Sequence, residues 1–230
     1  TVDPTRISLS RPGGLTVGGR SARSSEVGKI IKGKPLLKFA VPGLVSPDDF
    51  MTIKHDLLQR VAMDKGSRRS ASRLRLAHFY VVNGMGSEAI GVIKSLIKGD
   101  PKAIEDRKVR MIRAVARYIM GRYREAASDF EHPSLRKYVG SFPWLAGIAA
   151  ARGDWVGAYR MFEDVDPLFA TYPTKLKIRF GLLAAEAALA VENYEVGERR
   201  IETLDKLPLT KSNSDYISYL KGYLLKRKGE

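Results

Sequence analysis

The stretch Leu76-Ala-His-Phe-Tyr-Val-Val-Asn-Gly84-Met-Gly-Ser-Glu-Ala89-Ile-Gly-Val-Ile93-Lys-Ser-Leu96 decides the fold. Apolar residues recur at three- and four-residue intervals on both sides of Gly84. That spacing predicts two amphipathic helices meeting at a glycine turn. Two antiparallel helices pack closely only where small side chains face each other at the crossing, a place suited to Ala77 and Ala89. Glycine at the turn accepts a positive φ without steric cost.

The same offsets return further along the chain. A second copy reads Ala114, Tyr118, Gly121, Tyr123, Ala126 and Phe130. The third reads Leu145, Ala146, Gly153, Trp155, Ala158 and Phe162, and the fourth Ala185, Ala188, Tyr194, Gly197, Ile201, Leu204 and Pro208. The small residue after the turn advances from 89 to 126 to 158 to 197, in steps of 37, 32 and 39. Units of roughly 34 residues repeated in this way stack into solenoids, which more often bind than catalyse. The aromatic two positions after the turn (Tyr123, Trp155, Tyr194) fits the gap between a turn and the next pair. Some positions depart from the pattern. Gly86 replaces the turn aromatic in copy one, and Glu192 replaces the turn glycine in copy four. His132-Pro133 is expected to shorten the second helix of copy two, and Pro143 falls inside the first helix of copy three.

These offsets resemble the tetratricopeptide repeat (TPR) family over residues 70–208. A further opening helix follows at 214–228. The resemblance implies an all-α, right-handed superhelix of helix-turn-helix pairs whose first helices line a concave groove for a peptide or partner protein. Carrying the groove-facing offsets onto this chain gives His78 and Val82, then Met111, Val115 and Tyr118, then Gly147 and Ala150. Further along it gives Arg179, Leu182 and Glu186, then Tyr216, Tyr219 and Tyr223. Packing on neighbouring repeats or on an N-terminal strap is the competing reading for these positions. No clamp for a C-terminal carboxylate is visible among them. The runs Arg11-Pro-Gly-Gly-Leu and Arg75-Leu-Ala-His-Phe-Tyr-Val-Val-Asn-Gly also resemble large alphaproteobacterial exported TPR proteins, which implies a periplasmic or envelope location.

Residues 1–45 have a different texture, short and β-like or irregular. Arg6–Ser10 and Leu15–Val17 read as two strands around Arg-Pro-Gly-Gly, with further strand candidates at 29–32 and 36–41. So short a pair cannot stand alone. It reads as the end of an upstream domain or as a strap on the helices. Ser46, Pro47, Asp48 and Asp49 form a strong helix start. They open a capping helix over 46–66 at the head of a helical domain spanning 46–230. The chain begins at threonine and ends within a helical pattern, which reads as a fragment.

The formal net charge is +15. Residues 1–75 hold 15 Lys/Arg against 6 Asp/Glu, and residues 76–230 hold 25 against 19. The excess is concentrated towards the N-terminal side, where it would attract nucleic acid, lipid headgroups or an acidic protein. There is no cysteine, so disulfides, thiolate catalysis and cysteine-ligated zinc are excluded. His55, His78 and His132 are too scattered to pair on a metal. Two glycine-rich runs, Gly14–Ser21 and Gly28–Lys34, approach a phosphate-binding loop. Each lacks the strand before and the helix after that such a loop requires. No catalytic residue, cofactor site or metal site is assigned. The reading is a non-catalytic interaction scaffold. Its alternative is a basic helical module for nucleic acid or another anionic surface.

Overall fold

The computed structural model describes residues 36–38, 47–169 and 172–229, and among these it is all-helical with no strand. The strand candidates at 6–17 and 29–32, and residues 39–41 of the one at 36–41, lie outside the described residues; residues 36–38 are described and form no strand, which corrects that part of the expectation. Ten α-helices follow one another: α1 (Pro47–Met63), α2 (Gly66–Val82), α3 (Gly86–Gly99), α4 (Arg107–Ile119), α5 (Tyr123–Phe130), α6 (Phe142–Ala151), α7 (Trp155–Phe169), α8 (Thr174–Ala190), α9 (Tyr194–Asp205) and α10 (Lys211–Lys228). Short 3-10 turns precede α4 at Pro101–Glu105 and α6 at Val139–Ser141.

The helices form hairpins, α2/α3, α4/α5, α6/α7 and α8/α9, closed by one recurring turn. Gly84, Gly121, Gly153 and Glu192 all have left-handed backbones, with φ of 77°, 72°, 78° and 60°. In each turn the next residue's N–H reaches back five positions to a helix carbonyl: Met85 to Tyr80, Arg122 to Arg117, Asp154 to Ala149 and Asn193 to Ala188, at 2.8 to 2.9 Å. This bond satisfies one of the carbonyls that a helix C-terminus leaves unpaired. Glu192 occupies the glycine position with a side chain, so the fourth turn keeps the geometry at a conformational cost. Gly229, with φ 83°, caps α10 directly after its last residue.

Inside each hairpin the predicted small residues meet. Ala77, Ala89, Ala114, Ala126, Ala146 and Ala158 are fully buried. In the fourth hairpin a methyl on Gly197 would sit 2.6 Å from Leu189 Cδ2 and push that buried side chain aside. Four positions on, Ile93, Phe130, Phe162 and Ile201 fill the core with at most 2% of their surface exposed. Each such burial is worth about 1.5–3 kcal/mol, more than the roughly 1 kcal/mol that separates glycine from an average helix residue. Repeated packing therefore outweighs the weak helix formers in the sequence. Gly86 also finds its reason. A Cβ there would lie 2.7 Å from the Ala116 carbonyl oxygen of α4, so an aromatic at this position would drive the first two hairpins apart.

Hairpins stack in chain order, each first helix touching the next: α2 on α4, α4 on α6, α6 on α8 and α8 on α10. An edge-to-face aromatic ladder runs through this layer. Tyr118 meets Trp144 at 5.1 Å and Trp144 meets Phe180 at 5.0 Å between ring centroids. Such pairs add about 0.5–1.5 kcal/mol beyond area burial. Pro143 does not interrupt α6. It stands in the first turn, where its missing N–H costs no helix bond. As expected, α5 stops before His132-Pro133, at Phe130.

Two apolar clusters share α8 as a wall. Phe180, Ala184 and Ala187 face the large cluster, whereas Ile178, Leu182, Ala185 and Leu189 face a smaller one completed by α9 and α10. Leu37 of the N-terminal segment belongs to the large cluster and is 5% exposed.

Candidate functional site

The first helices leave a cleft of about 620 Å³ towards the C-terminal end of the stack. Its floor comes from α4 and α6, where Tyr118 lies beneath Gly147 and Ala150. Gly147 lets the two helices approach closely, since a Cβ would fall 2.3 Å from the Tyr118 hydroxyl oxygen and displace the ring. Tyr123 and Trp155, the residues that begin α5 and α7, pack against the core and also line the cleft. One wall is α8. Lys175, Arg179, Leu182 and Glu186 fall at intervals of four, three and four along it, so they share one helix face. Asn213 and Tyr216 of α10 form the opposite wall.

The electrostatics of the cleft follow from these positions. The Arg179 guanidinium lies over the Tyr118 ring, 4.9 Å from its centroid. Burial raises the Tyr118 phenol above its usual range, and Arg179 offsets part of that rise. Across the cleft, burial and a hydrogen bond to Glu186 push the Tyr216 phenol strongly upward. Both phenols stay neutral, and Tyr216 donates to the carboxylate. The wall is thus cationic at Lys175 and Arg179, apolar at Leu182 and anionic at Glu186.

The other half of the predicted groove is not open. Leu36 donates its N–H to the Tyr138 hydroxyl at 2.9 Å, and the His78 ring is hydrogen-bonded to the backbone of Lys38. Residues 36–38 therefore bridge α2 to the segment leading into α6. Desolvation lowers the His78 pKa below its ordinary value, the Lys38 bond opposing in part. Its Nε2 is buried without a hydrogen-bond partner among the described residues.

The expected groove residues separate accordingly. Tyr118, Gly147, Ala150, Arg179, Leu182, Glu186 and Tyr216 come together at the cleft. The expectation that Met111 and Val115 face an open groove is corrected, because they are 2% and 0% exposed within the core. Being apolar on a helix packed against neighbours on both sides, they have no surface to offer. His78 and Val82 are half-buried, with His78 under the strap. Tyr219 is 63% exposed and stacks on Tyr216 at 5.9 Å, outside the cleft lining. Tyr223 carries Arg227 over its ring at 5.3 Å and also does not line the cleft. The sequence reading missed Lys175 and Asn213. Lys175 was legible as the residue four before Arg179 on one helix face; Asn213, three before Tyr216, lay just outside the helix expected at 214–228, which begins at Lys211.

Among the described residues no helix is long and apolar enough to cross a membrane, and no cluster of His, Asp and Glu is arranged to hold a metal ion. Comparison with protein-family models, curated proteins and solved structures yields no match.

Proposed function

We propose that this chain is a non-catalytic scaffold, a TPR-like right-handed superhelix that holds an extended segment of a partner protein in the α6–α8–α10 cleft. The observation carrying the proposal is the graded wall of α8 facing aromatic side chains. From Lys175 to Glu186 the helix rises roughly 16 Å, the span of about five extended residues. An acidic residue of the partner would pair with Lys175 and Arg179, and an apolar one would lie on Leu182 and Trp155. A hydrogen-bond donor or cation would meet Glu186. Aromatic walls with a few convergent polar groups are the usual makeup of a recognition site. The strap supports the same mode, since residues 36–38 already run as a non-helical segment along the inner layer, anchored through backbone hydrogen bonds. The envelope location rests on sequence resemblance alone.

Peptide display against the full chain tests the reading. Selected peptides should share an acidic residue a few positions from an apolar one. Their affinity should fall tenfold or more in Arg179→Glu and in Tyr216→Ala. A selection that enriches nothing, or peptides indifferent to both substitutions, would refute it.

A further inference from the structure

The end of the first hairpin that holds the start of α2 and the finish of α3 lies away from the cleft and breaks a local electrostatic rule. Helices favour acidic side chains or a capping oxygen at the N-terminus, where the dipole is positive. The start of α1 carries Asp48 and Asp49, and α4 is capped by Asp106. The start of α2 carries Lys65, Arg68 and Arg69, with no acidic residue in its first turn and no side-chain cap, a pattern it shares with α8. Because α3 returns antiparallel, its last turns deliver Lys94 and Lys98 to the same end, and the 3-10 turn adds Lys102. Arg73 ties the two helices, donating to the Ser95 carbonyl at 3.0 Å. Residues 64–75 and 94–102 together hold eight Lys/Arg and two Asp. The Asp64 carboxylate already accepts the Ser72 hydroxyl at 2.5 Å, and its carbonyl accepts Arg69 Nε. A cationic helix start disfavours folding locally, and such departures from local consistency concentrate at functional positions.

We propose that this hairpin end is a docking surface for an anionic lipid bilayer. Two observations choose lipid over nucleic acid. An apolar side chain stands exposed beside the cations: Met63, the last residue of α1, is 69% exposed and lines the same surface depression as Lys65 and Arg68. Cations flanking protruding apolar groups match a surface with charged headgroups above hydrocarbon. Residues 58–75 and 94–102 contain no aromatic ring, so the stacking platform that single-stranded nucleic acid uses is absent there. Arg68 and Lys98 are exposed, leaving their charges accessible. Seated this way, the first hairpin end would face the bilayer, and the cleft, near the other end of the stack, would stay open to a partner.

The test is cosedimentation of the full chain with phosphatidylcholine vesicles, with and without phosphatidylglycerol, over a salt series. Binding should require the anionic lipid and weaken with salt. Each cation near such a surface contributes about fivefold in partitioning. Arg68→Glu with Lys98→Glu should therefore lower binding more than tenfold, with the melting curve unchanged. Met63→Ser should lower vesicle binding severalfold and leave retention by single-stranded RNA as it was. Equal pelleting of the double variant and the parent would overturn the proposal, placing the interaction on the basic N-terminal segment. Release of the protein from vesicles by RNA at equal phosphate concentration would also overturn it, in favour of nucleic acid.

Discussion

Replacing Asp129 by alanine should be among the most damaging single changes in the second hairpin. The Asp129 carboxylate on α5 is 3% exposed and faces three arginines of α4. Arg113 grips it with both Nε and Nη2, at 3.0 and 2.5 Å, and Arg117 Nη1 donates at 2.6 Å. Arg110, itself 7% exposed, stands 3.7 Å away. Removing one partner of a buried ionic network costs about 3–5 kcal/mol, because the remaining charges stay desolvated. The side chains of Arg113 and Arg117 are 20% and 21% exposed. Water can reach them in the variant, which places the loss near the lower bound, about 3 kcal/mol. At about 2–4 °C per kcal/mol for a chain of this size, melting should fall by roughly 6–12 °C. Asp129→Asn keeps one acceptor oxygen and should lose less. A matched control is Asp205→Ala, which removes the exposed pair with Lys221 and should cost under about 1 kcal/mol. Urea unfolding by circular dichroism gives both the midpoint and the slope, and a lowered slope would show the second hairpin opening separately from the rest. A loss below about 1 kcal/mol in Asp129→Ala, no larger than that of the exposed pair, would refute the claim that this network holds α5 to α4.

Other outcomes follow from positions already described. Glu192→Gly relieves a left-handed non-glycine residue and should raise stability by about 0.5–1 kcal/mol, read from the urea midpoint, whereas Gly121→Ala should lower it by about 1–2 kcal/mol. Gly147→Ala forces the Tyr118 ring away from α6 and should cost about 1–3 kcal/mol, with a change in near-ultraviolet circular dichroism as the aromatic ladder shifts. The folded-state pKa of His78 lies below its unfolded value of 6.5. The unfolded chain therefore binds more protons as pH falls, and the contribution of this site is present above 6.5 and lost as pH drops through the lowered value. Hydrogen exchange at residues 36–38 should quicken on acidification below pH 6.5, and His78→Gln should abolish that dependence.

The repeating hairpin was legible because its signal is local. Gly84, Gly121 and Gly153 announce turns by the absence of a side chain. The buried alanines announce crossings by their size. Glu192 was legible only through phase, since no local preference places glutamate in a left-handed turn. Pro143 falls inside the first helix of copy three, as read, but at its very start, because the chain spends residues 131–141 on a loop and a 3-10 turn before α6 begins. The cleft was half legible. Offsets along α8 identified Arg179, Leu182 and Glu186, whose neighbours lie on the same helix. Those offsets failed on α4, which packs against α2, α3, α5 and α6, so that its groove-facing positions are buried too. No periodicity announces that Leu36 and Lys38 bond to Tyr138 and His78.

The seat of Leu37 bears on where this protein can be divided. Composition draws a line near residue 46, with glycine- and serine-rich sequence before it and regular helix after it. Packing disregards that line, because a leucine from the earlier side completes the interior of the later one. A protein trimmed to begin at Pro47 would leave an apolar hole and release both Tyr138 and His78 from their bonds. Whatever such a shortened form were found to bind along its newly bared flank would have to be compared first with the leucine it had lost.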